Sequence, residues 1–136
     1  MDFNPHPIKT KEAPDPVGPY NQAVHAGGWL FCSGQIALDP NSGEMIGSEN
    51  ITLETKQVLR NLMAVIKAAG IDKNQIVKTT IYLSDLADFN EVNKVYSEFF
   101  DEGISPARAC IQAAALPKGA KVEIDCIAWK GTNETQ

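Results

Sequence analysis

The sequence predicts an α+β sandwich in which two helices cover one face of a mixed sheet, in the order β-β-α-β-α-β-β. Three observations carry this. Apolar residues recur at helical spacing in two stretches, 52–69 and 89–100. The stretches around them are short, rich in β-branched residues and bounded by Gly, Pro, Asn or Asp. The chain has 136 residues, 43% hydrophobic and 21% charged. That suits one domain over 1–136 with its own core, and excludes a mostly disordered chain.

Residues 1–19, rich in proline and polar residues, read as an extended arm. Gln22 to Ala26 and Trp29 to Ser33 read as a hairpin, because Gly27-Gly28 can supply the positive φ angles of a tight turn. Asp39-Pro40-Asn41-Ser42-Gly43 is a turn. Thr52 to Ala69 sets Val58, Leu59, Leu62, Met63, Ile66 and Ala69 on one stripe, and Gly70 stands where a C-terminal cap belongs. Gln75 to Leu83 is a strand. Ser84 and Asp85 offer N-caps to a second helix with Phe89, Val92, Tyr96, Phe99 and Phe100 on its stripe. Gly103 to Pro106 breaks that helix. Ala107 to Ala115 and Lys121 to Trp129 are two more strands, read as a hairpin joined by Pro117-Lys118-Gly119. Residues 131–136 are a polar tail.

The charge narrows the function classes. There are 12 Lys and Arg against 17 Asp and Glu, a net −5, whereas a protein that tracks nucleic-acid phosphates is normally basic. The longest apolar run, Leu62 to Ile66, is far short of the ~20 residues of a membrane span. Residues 1–20, with prolines, scattered charges and no apolar h-region, do not read as a secretory signal. Cys32, Cys110 and Cys126, with no Cys-x-x-Cys, predict reduced thiols in a cytoplasmic protein. His6 and His25 have no metal-ligand spacing, so no metal site is expected.

Side chains alternate between the faces of a strand. Arg108, Cys110 and Gln112 share one face; Ala109, Ile111 and Ala113 share the other. In the last strand Lys121, Glu123 and Asp125 oppose Val122, Ile124, Cys126 and Ala128. The apolar sets are expected under the helices, which gathers the polar sets on the uncovered face. Arg108 then reads as part of a structural ion pair or as an anion receptor, since a guanidinium grips a carboxylate with two parallel hydrogen bonds. Glu123 reads as a solvated carboxylate or a functional one. Cys110 and Cys32 read as small apolar residues, and Tyr20 as an anchor for the arm. Gly34 after Ser33 ends a strand or lets a ligand approach the backbone. Asn93 is unremarkable by itself. A hairpin centred near residue 118 sets Glu123 and Arg108 about four residues apart, on the order of 14 Å. The two are therefore expected to meet only across two chains.

Six segments, in order, resemble the RidA (YjgF) family of reactive-intermediate deaminases. They are Gly18-Pro19-Tyr20-Asn21-Gln22-Ala23, Ser33-Gly34-Gln35-Ile36, Thr55-Lys56-Gln57-Val58-Leu59-Arg60-Asn61-Leu62, Val92-Asn93-Lys94-Val95-Tyr96, Pro106-Ala107-Arg108, and Ala115 to Ala120 with Val122-Glu123-Ile124. The resemblance implies a chorismate-mutase-like fold and a homotrimer with active sites between subunits. It implies hydrolysis of 2-imino acids, such as 2-iminobutanoate and 2-iminopropanoate, to 2-keto acids and ammonia, with no cofactor. It makes Arg108 the carboxylate-binding residue and Glu123 the group at the water or imine. Tyr20 and Asn93 would line the pocket, Ser33 and Gly34 would sit beside it, and Cys110 would offer its backbone. Asn21, Gln112 and Asp125 depart from the residues usual in that family. A keto-acid-binding sensor or chaperone-like trimer is a second class, and an endoribonuclease or translation inhibitor a third. The sequence has no basic stripe interleaved with aromatics to support the last.

Overall fold

The computed structural model describes residues 4–131; residues 1–3 of the arm and 132–136 of the expected tail lie outside the described residues. The strands are β1 (His6–Ile8), β2 (Ala23–Ala26), β3 (Trp29–Gln35), β4 (Ile76–Leu83), β5 (Ala107–Gln112) and β6 (Val122–Trp129). The helices are α1 (Ile51–Ala68) and α2 (Phe89–Phe99). One mixed sheet runs β1-β2-β3-β6-β4-β5, with β4 and β5 parallel and the other neighbours antiparallel. Both helices lie on one face, as expected.

Local chemistry explains the boundaries. Ala26 pairs with Trp29 across Gly27 and Gly28, at φ +58° and +91°. Asn50 starts α1: its Oδ1 accepts from the Leu53 amide at 3.1 Å, a cap worth ~1 kcal/mol. Gly70, at φ +74°, ends the helix. Asp85 Oδ1 accepts from the Ala87 amide at 2.9 Å, capping a 3-10 turn at Leu86–Asp88 from which α2 follows directly. Part of the arm forms β1, which sets Ile8 against Ala23. Val58, Leu62 and Ile66 of α1 and Val92 of α2 are buried against Leu30, Ile81, Leu83, Val122, Ile124 and Ala128 of the sheet. Each large apolar side chain so buried contributes roughly 1.5–3 kcal/mol. No helix among the described residues is long and apolar enough to cross a membrane.

Two expectations about the closing strands are overturned. First, β5 and β6 do not form a hairpin. β6 lies between β3 and β4, and β5 extends the sheet beyond β4. The segment between them passes the end of β4, where Ala113 N donates to Leu83 O at 2.8 Å and Ser84 N to Lys121 O at 3.1 Å. Second, the faces of β5 are the reverse of those expected. Arg108 is level with Thr79 and Cys110 with Ile81. Thr79 and Ile81 are buried beneath the helices, so Arg108, Cys110 and Gln112 point to the helix side. Ala109 and Ile111 face the uncovered side. The apolar set misleads because β5 is an edge strand that the helix layer barely covers: five of its six residues are exposed.

Candidate active site

The structure builds two half-sites. The first rises from β5 and α2. Arg108 leaves β5 on the helix side and lies against rings that α2 presents: its guanidinium carbon is 5.0 Å from the Tyr96 ring centroid and 5.7 Å from that of Phe89. Its Nη1 donates to Asn93 Oδ1 at 2.6 Å. Phe89, Asn93 and Tyr96 share one stripe because they are spaced four and three apart in a helix. Cys110 lies next along the same face of β5 and touches the core. Burial pushes its thiol above the ordinary 9.0, partly offset by the charge of Arg108. A thiol so placed stays protonated and is a poor nucleophile.

The second half rises from β3, β6 and the arm, with Glu123 on the uncovered face. Its neighbour on β4 is Tyr82, whose hydroxyl donates to Asp125 Oδ2 at 3.2 Å. Burial, then the charge of Asp125, holds the Glu123 carboxyl above the ordinary 4.5. Pairing of β3 with β6 slips by one residue between Cys32 and Gln35, a bulge formed at Ser33 and Gly34. A Cβ at Gly34 would overlap the Glu123 carboxylate. Glycine is thus needed at Gly34 to seat Glu123. Ser33 Oγ donates to Asn21 O at 2.6 Å. Tyr20, Gly34, Pro117 and Glu123 line one hollow together with Pro14 to Val17 of the arm. Tyr20 Oη accepts from the Val17 amide at 3.2 Å, a local bond that bends the end of the arm.

Several residues that hold these halves were not among the candidates that the sequence singled out. Buried Gln22 ties the arm down: Nε2 donates to Thr10 O at 3.0 Å and Pro14 O at 2.9 Å, while Oε1 accepts from Thr10 N at 2.7 Å. Buried Glu54 of α1 accepts from the amides of Lys121 at 2.6 Å and Val122 at 3.2 Å. It thereby fixes the start of β6, one residue before Glu123. Phe89 and Tyr96 read by spacing as a helix stripe, and nothing in the sequence says that Arg108, on the next strand, will lie on them.

Within one chain the halves stay apart. Arg108 is level with Thr79 and Glu123 with Tyr82, on opposite sides of β4. Three residues along and two strand spacings across put their backbones roughly 14 Å apart. Their side chains also point to opposite faces of the sheet. The hairpin reasoning gave a similar separation from a pairing that does not exist. Tyr20, Ser33, Gly34 and Glu123 are brought together, and so are Asn93, Arg108 and Cys110. Among the described residues no three of His, Cys, Asp and Glu gather so as to hold a metal ion.

A family model described as Endoribonuclease L-PSP matches residues 10–130. A RutC family protein of Synechocystis is 52% identical over 121 residues, covering 89% of this chain and 93% of that protein. The mouse protein named 2-iminobutanoate/2-iminopropanoate deaminase is 48% identical over 124 residues, covering 91% of this chain and 90% of its own. Among solved structures, a Rid family protein from Yersinia pestis matches with a TM-score of 0.90 at 43% identity, over 93% of this chain and 99% of that one. E. coli TdcF, solved with bound serine, matches with a TM-score of 0.88 at 40% identity, over 93% of this chain and 99% of its own. Through 121 matched residues and the six segments that run along them, the chain belongs to the Endoribonuclease L-PSP family, that of the RidA (YjgF) proteins.

Proposed function

We infer that this protein is an enzyme that hydrolyses small 2-imino acids to 2-keto acids and ammonia. The observation that carries the reading is the seating of Arg108. With Asn93 on one nitrogen and two rings beside it, the guanidinium keeps an edge for a carboxylate. The mouse relative's name, 2-iminobutanoate/2-iminopropanoate deaminase, supplies the substrate class at 48% identity. An imine beside a carboxylate fits that edge. Two hydrogen bonds from Arg108 to the carboxylate hold the imine carbon in place, and such orientation lowers a barrier by several kcal/mol. Glu123 as carboxylate takes a proton from the attacking water while its oxygen bonds to the imine carbon. As the acid, Glu123 returns that proton to the nitrogen. In the carbinolamine so formed, Glu123 takes the hydroxyl proton and passes it to the amine nitrogen, so that the C–N bond breaks, ammonia leaves and the carbinol oxygen becomes the ketone.

The active site is a cleft between subunits, Arg108, Asn93 and Cys110 coming from one and Tyr20, Ser33, Gly34 and Glu123 from the next. The opposite-face placement of Arg108 and Glu123 supports this. So do the apolar side chains on the uncovered sheet face, where Trp29, Phe31, Ile111 and Trp129 are 40, 48, 50 and 38% exposed in the single chain. Closing three such faces on one another as a homotrimer removes them from water. A cytoplasmic location suits the three free thiols.

The test is a coupled assay. A PLP-dependent threonine dehydratase generates the imine and semicarbazide competes for it. Faster keto-acid release on adding this protein is expected; unchanged release removes the enzyme reading and leaves a keto-acid-binding sensor. Mixing Arg108→Ala and Glu123→Ala chains in equal amounts tests the shared cleft. Random trimers leave about one cleft in four intact, so roughly a quarter of wild-type activity returns from two inactive variants. No recovery from refolded mixtures counts against a shared cleft.

A further inference from the structure

We propose that Tyr96 and Thr79 are positioning residues for Arg108: a buried hydroxyl pair that locks the aromatic seat on which the guanidinium rests. This rests on the deaminase reading and names a part of the same site. Thr79 is wholly buried and Tyr96 is 6% exposed. Their hydroxyls are 2.7 Å apart in a hydrogen bond. Thr79 is also the residue of β4 level with Arg108 on β5. One threonine thus touches the tyrosine that supports the arginine beside which it stands.

The geometry gives this triangle a purpose. Arg108 springs from an exposed edge strand, and a free arginine there samples many rotamers. Three contacts narrow it: the Asn93 bond at 2.6 Å and the two rings. A ring supports a cation only where the cation meets its face. The Tyr96 ring is fixed about its long axis by Phe100, at 4.8 Å between centroids, and along it by the Thr79 hydroxyl. Burial keeps the phenol protonated, above the ordinary 10.0, so the pair stays hydrogen-bonded at working pH. A tyrosine in an apolar core needs a hydroxyl partner in any case. Placing that partner level with Arg108 ties core and site together.

Three variants test the assignment. Tyr96→Leu removes the ring; Tyr96→Phe keeps the ring; the double variant Tyr96→Phe with Thr79→Val removes both hydroxyls without leaving either unpaired. In the coupled assay, Tyr96→Leu is expected to raise KM about five- to tenfold with kcat within about twofold, because the lost function is the grip on the carboxylate. Tyr96→Phe keeps the ring but loses its lock, so it and the double variant are both expected to fall between Tyr96→Leu and wild type. In the unliganded protein, the Nη protons of Arg108 are expected to give separate NMR signals in wild type that merge in Tyr96→Leu. This readout needs no substrate, so it decides the positioning role even if wild type fails to hydrolyse imines, a failure that overturns the function instead. Unchanged KM and unchanged Arg108 signals in a folded Tyr96→Leu overturn the proposal. Should that variant not fold, the double variant decides: the same two readouts at wild-type values overturn it.

Discussion

The two half-sites are built by opposite means. The Arg108 half is assembled from side chains: two rings and an amide on α2 receive a cation from the open edge of the sheet. The Glu123 half is assembled from backbone: a bulge, a glycine and a strap of arm make room for a carboxylate above β6. The first suits recognition, since a guanidinium held before the ligand arrives loses little freedom on binding. The second suits proton transfer. A half-buried carboxyl with a second carboxylate nearby has its affinity for protons raised toward the working range. Placing these tasks on opposite faces keeps Arg108 from pairing with Glu123 in the single chain, which would pull that carboxyl's pKa down.

The largest expected effect lies at the cation. Arg108→Lys keeps the charge but loses the two-pronged edge and the flat face that lies on the rings, and should lower kcat/KM about a hundredfold. Near-wild-type turnover would mean that this half supplies charge alone. Next comes the backbone-built half. Gly34 does not lie at positive φ, so Gly34→Ala is tolerated by the chain while its Cβ displaces the Glu123 carboxylate. A loss of about tenfold or more in kcat is expected, with 2-ketobutanoate binding, measured by calorimetry, little changed. Loss of binding instead would erase the division of labour. The pH profile sharpens the same point. In the proposed mechanism Glu123 acts first as a base, and burial with Asp125 raises its carboxyl in the chain, so activity is expected to fall as pH drops through a value above 4.5. Glu123→Gln should abolish that limb together with most of the rate. The smallest effect belongs to Cys110. With its thiol held protonated, Cys110→Ala should change kcat by less than about threefold. Complete loss in a folded variant would call for a covalent step.

These contrasts also mark what the sequence made legible. Helices and strands were readable because their periods and punctuation are local: Gly27-Gly28, Gly70 and the α2 stripe each act within a few residues. The partner of β5 was not. Alternation says that a strand has two faces, but on an edge strand both are open, and alanine and isoleucine fit solvent as well as core there. The turn at Pro117-Lys118-Gly119 was real, with Ala120 N bonded to Pro117 O at 3.0 Å. It joins strands that never pair, because the chain crosses the end of β4 before re-entering the sheet. The candidate residues came from motif resemblance, whereas the seat beneath Arg108 depends on which helix face meets which strand.

The central position of β6 carries a further consequence. The last made of the described strands is the one that joins β3 to β4, linking Leu30 to Ala128 across about a hundred residues of chain. Until it arrives, the two halves of the sheet have no backbone bonds between them, and Ile81, Leu83 and Leu30 lack a neighbour. Chains are synthesised from the N-terminus at ~5–20 residues per second. For several seconds the nascent protein therefore holds two unzipped edges and an open core. Folding of this molecule is expected to be late, all at once and triggered by β6, and a chain truncated before Val122 should not fold at all.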